Sequence, residues 1–135
     1  ADDLEFHPGW FEACLARLSP PVEVVGTNDL LNPRVIAGEH ATHFLFTRSY
    51  IDRFGTIDEA GKVLHEGYRH DWVDDEFVAT ARARGVFVSA SDAVVEHLHP
   101  WARKAPMDAT YRYGRRWRVE GRRLFRARRH LWDPA

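Results

Sequence analysis

The chain has 135 residues, 44% hydrophobic and 13% aromatic, enough for one domain with a real core and too apolar for a disordered segment. No apolar run nears the roughly 20 residues that span a bilayer, the acidic start has no signal-peptide pattern, and the one cysteine, Cys14, excludes an internal disulfide framework, so the default compartment is the cytoplasm. A net charge of −1 hides an asymmetry: residues 1–102 carry 8 Lys/Arg against 17 Asp/Glu, a net −9, and residues 103–135 carry 11 against 3, a net +8.

In chain order, His7-Pro8-Gly9 breaks the chain. Residues 10–18 then predict a short helix with Trp10, Phe11, Cys14, Leu15 and Leu18 on one side, ended by Ser19-Pro20-Pro21. Cys14 sits in that apolar pattern and reads as a buried thiol. Residues 22–25 are β-branched and apolar enough for a strand, stopped by Gly26, and residues 27–38 read as loop. Residues 42–47 form the clearest strand, with Phe44 and Phe46 on one face, and residues 49–54 look helical up to Gly55. Residues 56–71 read as loop. Residues 73–84 have helical composition, with Phe77, Val78 and Ala81 at helix spacing and Gly85 as the C-cap. Residues 86–88 and 93–95 predict two short strands around a Ser91-Asp92 turn, and the pattern returns to helix from Met107, interrupted by Gly114 and Gly121. The order predicts an α/β fold with a mixed sheet, flanking helices and a basic C-terminal helix.

Four polar clusters lie at the edges of apolar elements: Asp2-Asp3, His40 to His43, Asp74-Asp75-Glu76, and Glu96-His97-Leu98-His99. Adjacent carboxylates are costly to bury, but a helix N-terminus favours them through its dipole and free N–H groups, so Asp74-Asp75-Glu76 also reads as an ordinary acidic first turn. His97 and His99 are one residue apart and share a face on an extended segment. That suits two ligands to one metal, or one ligand and one phosphate contact; it also suits two satisfied histidines before a proline. Hard oxygen ligands with an imidazole favour Mn²⁺ or Mg²⁺ over a structural zinc.

The order of these clusters resembles GT-A type (family 2-like) nucleotide-sugar glycosyltransferases, and the Gly38-Glu39-His40-Ala41-Thr42-His43 stretch resembles their phage and bacterial relatives. Residues 1–10, Ala-Asp-Asp-Leu-Glu-Phe-His-Pro-Gly-Trp, are similar to the family's metal-binding Asp motif and the helix after it. Phe44-Leu45-Phe46-Thr47-Arg48 and then Gly55-Thr56-Ile57-Asp58-Glu59 resemble its strand, helix and G-x-(I/F)-D-E turn. Trp72-Val73-Asp74-Asp75-Glu76-Phe77 with Arg82 and Gly85 resembles its acidic helix, although the family often has Glu-Asp where this chain reads Val-Asp-Asp-Glu. Val95-Glu96-His97-Leu98-His99-Pro100 resembles the late histidine segment that returns to the metal. The likeness covers roughly residues 1–108, a partial GT-A domain on the acceptor side, followed by a basic, aromatic-rich tail over 109–135.

The resemblance implies a divalent cation, Mn²⁺ or Mg²⁺, held by Asp3 with Asp2 and completed by His97 or His99. It implies Asp74 or Asp75 as the base that takes a proton from an acceptor hydroxyl, with inversion at the anomeric carbon. Glu76, Trp72, His40, His43 and Trp101 are candidate substrate contacts, the two tryptophans by stacking on sugar or base faces, although each tryptophan is also an ordinary core candidate. The family's nucleoside-binding strand–helix region precedes the Asp motif and is missing from this sequence. The expected partners are therefore a nucleotide-sugar donor, a hydroxyl acceptor, and an N-terminal half or a second copy. The 135 residues alone are expected to bind nucleotide-sugar weakly and to transfer nothing.

Two rival readings stand beside this one. Arg112, Arg115, Arg116, Arg118, Arg122, Arg123, Arg126, Arg128 and Arg129, interleaved with Tyr111, Tyr113, Trp117, Phe125 and Trp132, suit a binding module for nucleic acid or an anionic membrane surface. The same residues also suit a solvated helix folded back on the acidic body. A metal-dependent hydrolase is the second rival, and it needs a preformed three-ligand site within this chain.

Overall fold

A computed structural model describes residues 3–134. Four strands, β1 (Leu4–Phe6), β2 (Val24–Asn28), β3 (Phe44–Phe46) and β4 (Phe87–His97), form one mixed sheet in the order β1-β4-β2-β3. β4 runs antiparallel to β1 and parallel to β2, and β2 runs antiparallel to β3. Helices α1 (Trp10–Leu15), α2 (Pro33–Ile36), α3 (Arg48–Arg53), α4 (Val73–Ala83) and α5 (Ala109–Arg128) flank it. The protein is thus mixed α/β, as its sequence pattern predicts. No helix among the described residues is long and apolar enough to cross a membrane.

Successive residues of a strand face opposite sides, so Val24 and Val25 of β2 enter two different cores. Val24 packs with Tyr50 of α3, Phe77, Val78 and Ala81 of α4, and Phe44 and Phe46 of β3. Phe44 stacks flat on Phe77, ring centroids 4.1 Å apart. Val25 packs with Cys14 of α1 and with Ala90 and Ala93 of β4. The Cys14 thiol is fully buried, and burial pushes its pKa up, as expected of an inert thiol.

Four details depart from the sequence expectation. The first helix stops at Leu15, three residues early. β2 continues through Gly26 to Asn28, because this glycine is a packing requirement and no breaker: a Cβ there would meet the Ala41 Cβ at 2.6 Å and the Phe87 ring at 2.9 Å. Within the expected loop, Pro33–Ile36 turns helical, capped by the Asn32 side chain that accepts from Arg34 N. Finally, the two late strands are one. β4 pairs Gly26 with Ser89 and then Asn28 with Val94, and the intervening residues bulge instead of turning. Asn28 Nδ2 holds the bulge through the Ser91 carbonyl at 2.9 Å.

α5 is likewise continuous across Gly114 and Gly121. A glycine costs a helix about 1 kcal/mol relative to alanine. Here both let α5 approach residues 70–72, since a Cβ on Gly114 would sit 2.6 Å from the His70 ring and one on Gly121 would sit 2.8 Å from the Asp71 carbonyl oxygen. The far end of the helix is pinned by Arg128, which bonds Glu76 of α4 with three contacts of 2.9–3.2 Å and both oxygens of Asp58 at 2.9 and 3.0 Å.

Candidate functional site

The bulge aims the end of β4 at the start of the chain. Leu4 pairs with His97, and the Leu98 N–H donates to the Asp3 carbonyl at 2.8 Å. This brings His97 Nε2 to within 3.0 Å of Asp3 Oδ2, although the two residues are 94 apart in sequence. Tyr111, at the start of α5, donates its hydroxyl to the same Oδ2. Burial pushes the Asp3 carboxyl up, but the hydrogen bonds from Tyr111 and His97 and the imidazole's charge outweigh it, and its pKa falls below the ordinary aspartate value.

Three more rings surround this pair. His43 meets His97 edge-on at 5.2 Å, and His99 meets His97 at 5.0 Å and Tyr111 at 4.6 Å. Burial, then the charge on His97, lowers the pKa of His43, against the pull of Asp29, Asp3 and Asp74. The Nδ1 of His43 is buried with no hydrogen-bond partner among the described residues. Burial and His97 also lower the pKa of His99. His99 Nδ1 accepts the Trp101 N–H at 3.1 Å, capping the short 3₁₀ turn Pro100–Ala102. In the neutral ring that bond leaves the proton on Nε2.

The acidic residues do open α4, as the dipole argument expects, but each has a different setting. Asp74 Oδ2 lies 3.3 Å from Nε2 of His40, a histidine only 1% exposed. Asp75 takes a 2.6 Å ion pair from Arg34 of α2; burial and the neighbouring Asp74 charge raise its pKa. Glu76 turns the other way, 3% exposed, and accepts from Tyr68 at 2.6 Å and from Arg128. It is part of the α4–α5 anchor.

Trp72 precedes α4 in a left-handed backbone (φ 80°), donates Nε1 to the Arg118 carbonyl at 3.2 Å and packs on Phe125. Trp101 is 63% exposed, with the Arg118 guanidinium 5.0 Å from its ring. Asp2 lies outside the described residues. Asp3, His97, His99 and His43 therefore converge, Asp74 with its partner His40 lies near enough for its charge to act on His43, and Glu76 and Trp72 serve the packing of α5.

Among the described residues, two groups of three side chains bring one ligand atom each within 4.8 Å of one another: His40, Asp74 and Asp75, and Glu5, His7 and Glu96. Either could hold a metal ion. The second lies on the opposite face of β4 from His97, where Glu96 also takes an ion pair from Lys104.

Sequence reasoning missed three contributors. Asp29, 1% exposed, accepts from Leu31 N, Asn32 N and Thr42 Oγ1, and its carbonyl takes the His97 N–H at 3.1 Å. The Asn-Asp-Leu-Leu-Asn-Pro run offered a signal, since Asp readily bonds N–H groups two or three residues on. Tyr111 and Arg34 gave none, because their partners are distant in sequence.

No family model matches the chain, and no curated protein or solved structure matches it either.

Proposed function

We propose that this chain is the acceptor-side part of a divalent-metal-dependent, inverting glycosyltransferase of GT-A type. The reading rests chiefly on one observation: Asp3 and His97, the residues that the family resemblance assigns to metal, meet at 3.0 Å. The donor types suit the ion, since a carboxylate with an imidazole fits Mn²⁺ or Mg²⁺. Bound there, the cation would neutralise charge developing on the diphosphate leaving group. His97 is the better ligand of the two histidines, since a His99 ring with its proton on Nε2 is a hydrogen-bond donor suited to a phosphate oxygen.

Asp74 is the better base of the acidic pair. Its side chain is 27% exposed and has His40 as partner, whereas that of Asp75 is 15% exposed and clamped by Arg34. In the proposed step the acceptor hydroxyl gives its proton to the Asp74 carboxylate while its oxygen bonds the anomeric carbon. The bond to the diphosphate breaks with its electron pair. Binding of Mn²⁺ to the chain and to Asp3→Asn, followed by titration calorimetry, tests the assignment. Unchanged affinity in Asp3→Asn and in His97→Ala refutes it.

A metal-dependent hydrolase remains as a second reading because His40, Asp74 and Asp75 make the three-ligand group it requires. The Arg34 guanidinium on Asp75 opposes a second cation there. Metal retained through dialysis by the chain, and lost in His40→Ala alone, would favour the hydrolase.

A further inference from the structure

The outer face of α5 carries charge that the fold does not use. At about 100° per residue, Gly114, Trp117, Gly121, Leu124 and Phe125 turn toward the body, and all are buried or half-buried. Arg112, Arg115, Arg116, Arg122, Arg123 and Arg126 fall on the opposite side, within an arc of about 120° that runs for about 21 Å along the helix. All six are exposed, and Val119, 63% exposed, lies in the middle of the arc.

The other arginines of this region have carboxylate partners: Arg118 with Asp71, Arg128 with Glu76 and Asp58, Arg129 with Asp133. Among the described residues the six have none. Arg112 donates to the Met107 carbonyl, and Arg116 lies over the Trp117 ring at 5.4 Å. Like charges at spacings of three and four residues repel each other along a helix. A face that only needed solvation would interleave acids, yet Glu120 is the one carboxylate in α5, and it lies outside the arc.

We infer that this face docks the chain on an anionic bilayer surface, with α5 lying parallel to the headgroups. The arginines form one band along an exposed helix, and their long side chains let a flat surface meet the band over its whole length. Guanidinium groups match phosphate and carboxylate headgroups in paired hydrogen bonds. Val119 then sits among the headgroups. Residues 1–102, net −9, face away from the surface. A polyanion that wrapped around the chain would meet that acidic body and be repelled, so charge complementarity favours a plane over a flexible strand.

Cosedimentation of the 135-residue chain with vesicles tests this. Phosphatidylcholine vesicles containing phosphatidylserine should pull the chain down, pure phosphatidylcholine vesicles should not, and added salt should release it. Each arginine near such a surface strengthens binding about fivefold, so Arg115→Gln/Arg122→Gln/Arg126→Gln should weaken it about 100-fold. A control losing the same charge at Arg48, Lys62 and Arg103 should bind nearly as well as wild type, and thermal melts show that both variants fold. Equal pelleting with neutral vesicles, no pelleting with anionic ones, or undiminished binding by the triple variant overturns the proposal. So does a short DNA duplex that, at the same salt, strips the chain from anionic vesicles.

Discussion

Arg128→Ala should destabilise the fold strongly. Glu76 is 3% exposed, and Arg128 supplies its charged hydrogen bonds. Without the guanidinium, a carboxylate stays buried with Tyr68 as its remaining donor. Stranding one member of a buried ion pair costs about 3–5 kcal/mol. At about 2.1 cal/mol/K of unfolding entropy per residue, a chain of this length loses about 10–18 °C of Tm. Thermal and urea unfolding followed by circular dichroism measure it.

Two controls separate the ion pair from simple loss of packing. In Glu76→Gln/Arg128→Met the buried charge is gone and Tyr68 keeps an acceptor, so more than half of the stability should return. The second control is acid. Hydrogen bonding to Arg128 lowers the Asp58 pKa to about 2. A depressed carboxylate stabilises the fold above its unfolded pKa and loses that contribution as pH falls. Wild type should therefore weaken between about pH 4 and about pH 2, and Arg128→Ala should lack that part of the fall. A loss under about 1 kcal/mol, or a double variant no better than the single, would refute the anchor argument.

The remaining predictions concern packing and the proposed chemistry. Gly26→Ala should cost about 1–3 kcal/mol in urea unfolding, since its Cβ would overlap Ala41 and Phe87. Gly121→Ala should also destabilise despite the better helix propensity of alanine, because its Cβ would press on the Asp71 backbone; a more stable variant would show that α5 can shift outward. For the proposed transferase activity, Asp74→Asn should cut turnover by about 10²-fold or more with the melt unchanged, and near-normal transfer would exclude it as the base. Tyr111→Phe removes a hydrogen bond that holds the Asp3 pKa down, so Mn²⁺ binding should weaken toward acidic pH earlier than in wild type; coincident pH curves would show that this bond is unimportant.

The elements easiest to read from the sequence were those whose cause is local. Phe44 and Phe46 alternate across β3, Phe77, Val78 and Ala81 repeat at helix spacing, and Gly85 takes the left-handed backbone (φ 70°) that ends α4. Glycine misled wherever its cause was tertiary. Gly26 looks like a stop, yet it lets β2 pass beneath Ala41 and Phe87. Gly114 and Gly121 look like helix interruptions, yet they bring α5 onto residues 70–72. In each, the deciding contact comes from a segment the local pattern does not contain. The β4 bulge is similar, since Ser91-Asp92 has turn chemistry and only pairing with β2 keeps the strand going.

The candidate site divides on the same line. His97 and His99 were legible as a pair because alternation puts them on one face, and their rings do meet at 5.0 Å. Asp74, Asp75 and Glu76 were legible as a helix start but not as three separate environments. The helix turns each by about 100° from the last, so Asp74 meets His40, Asp75 meets Arg34 and Glu76 meets Arg128. A run of like residues on a helix therefore does not act as a unit. The difference in partner is one of kind: Asp75 is paired with the guanidinium of Arg34, a permanent cation, and Asp74 with the imidazole of His40.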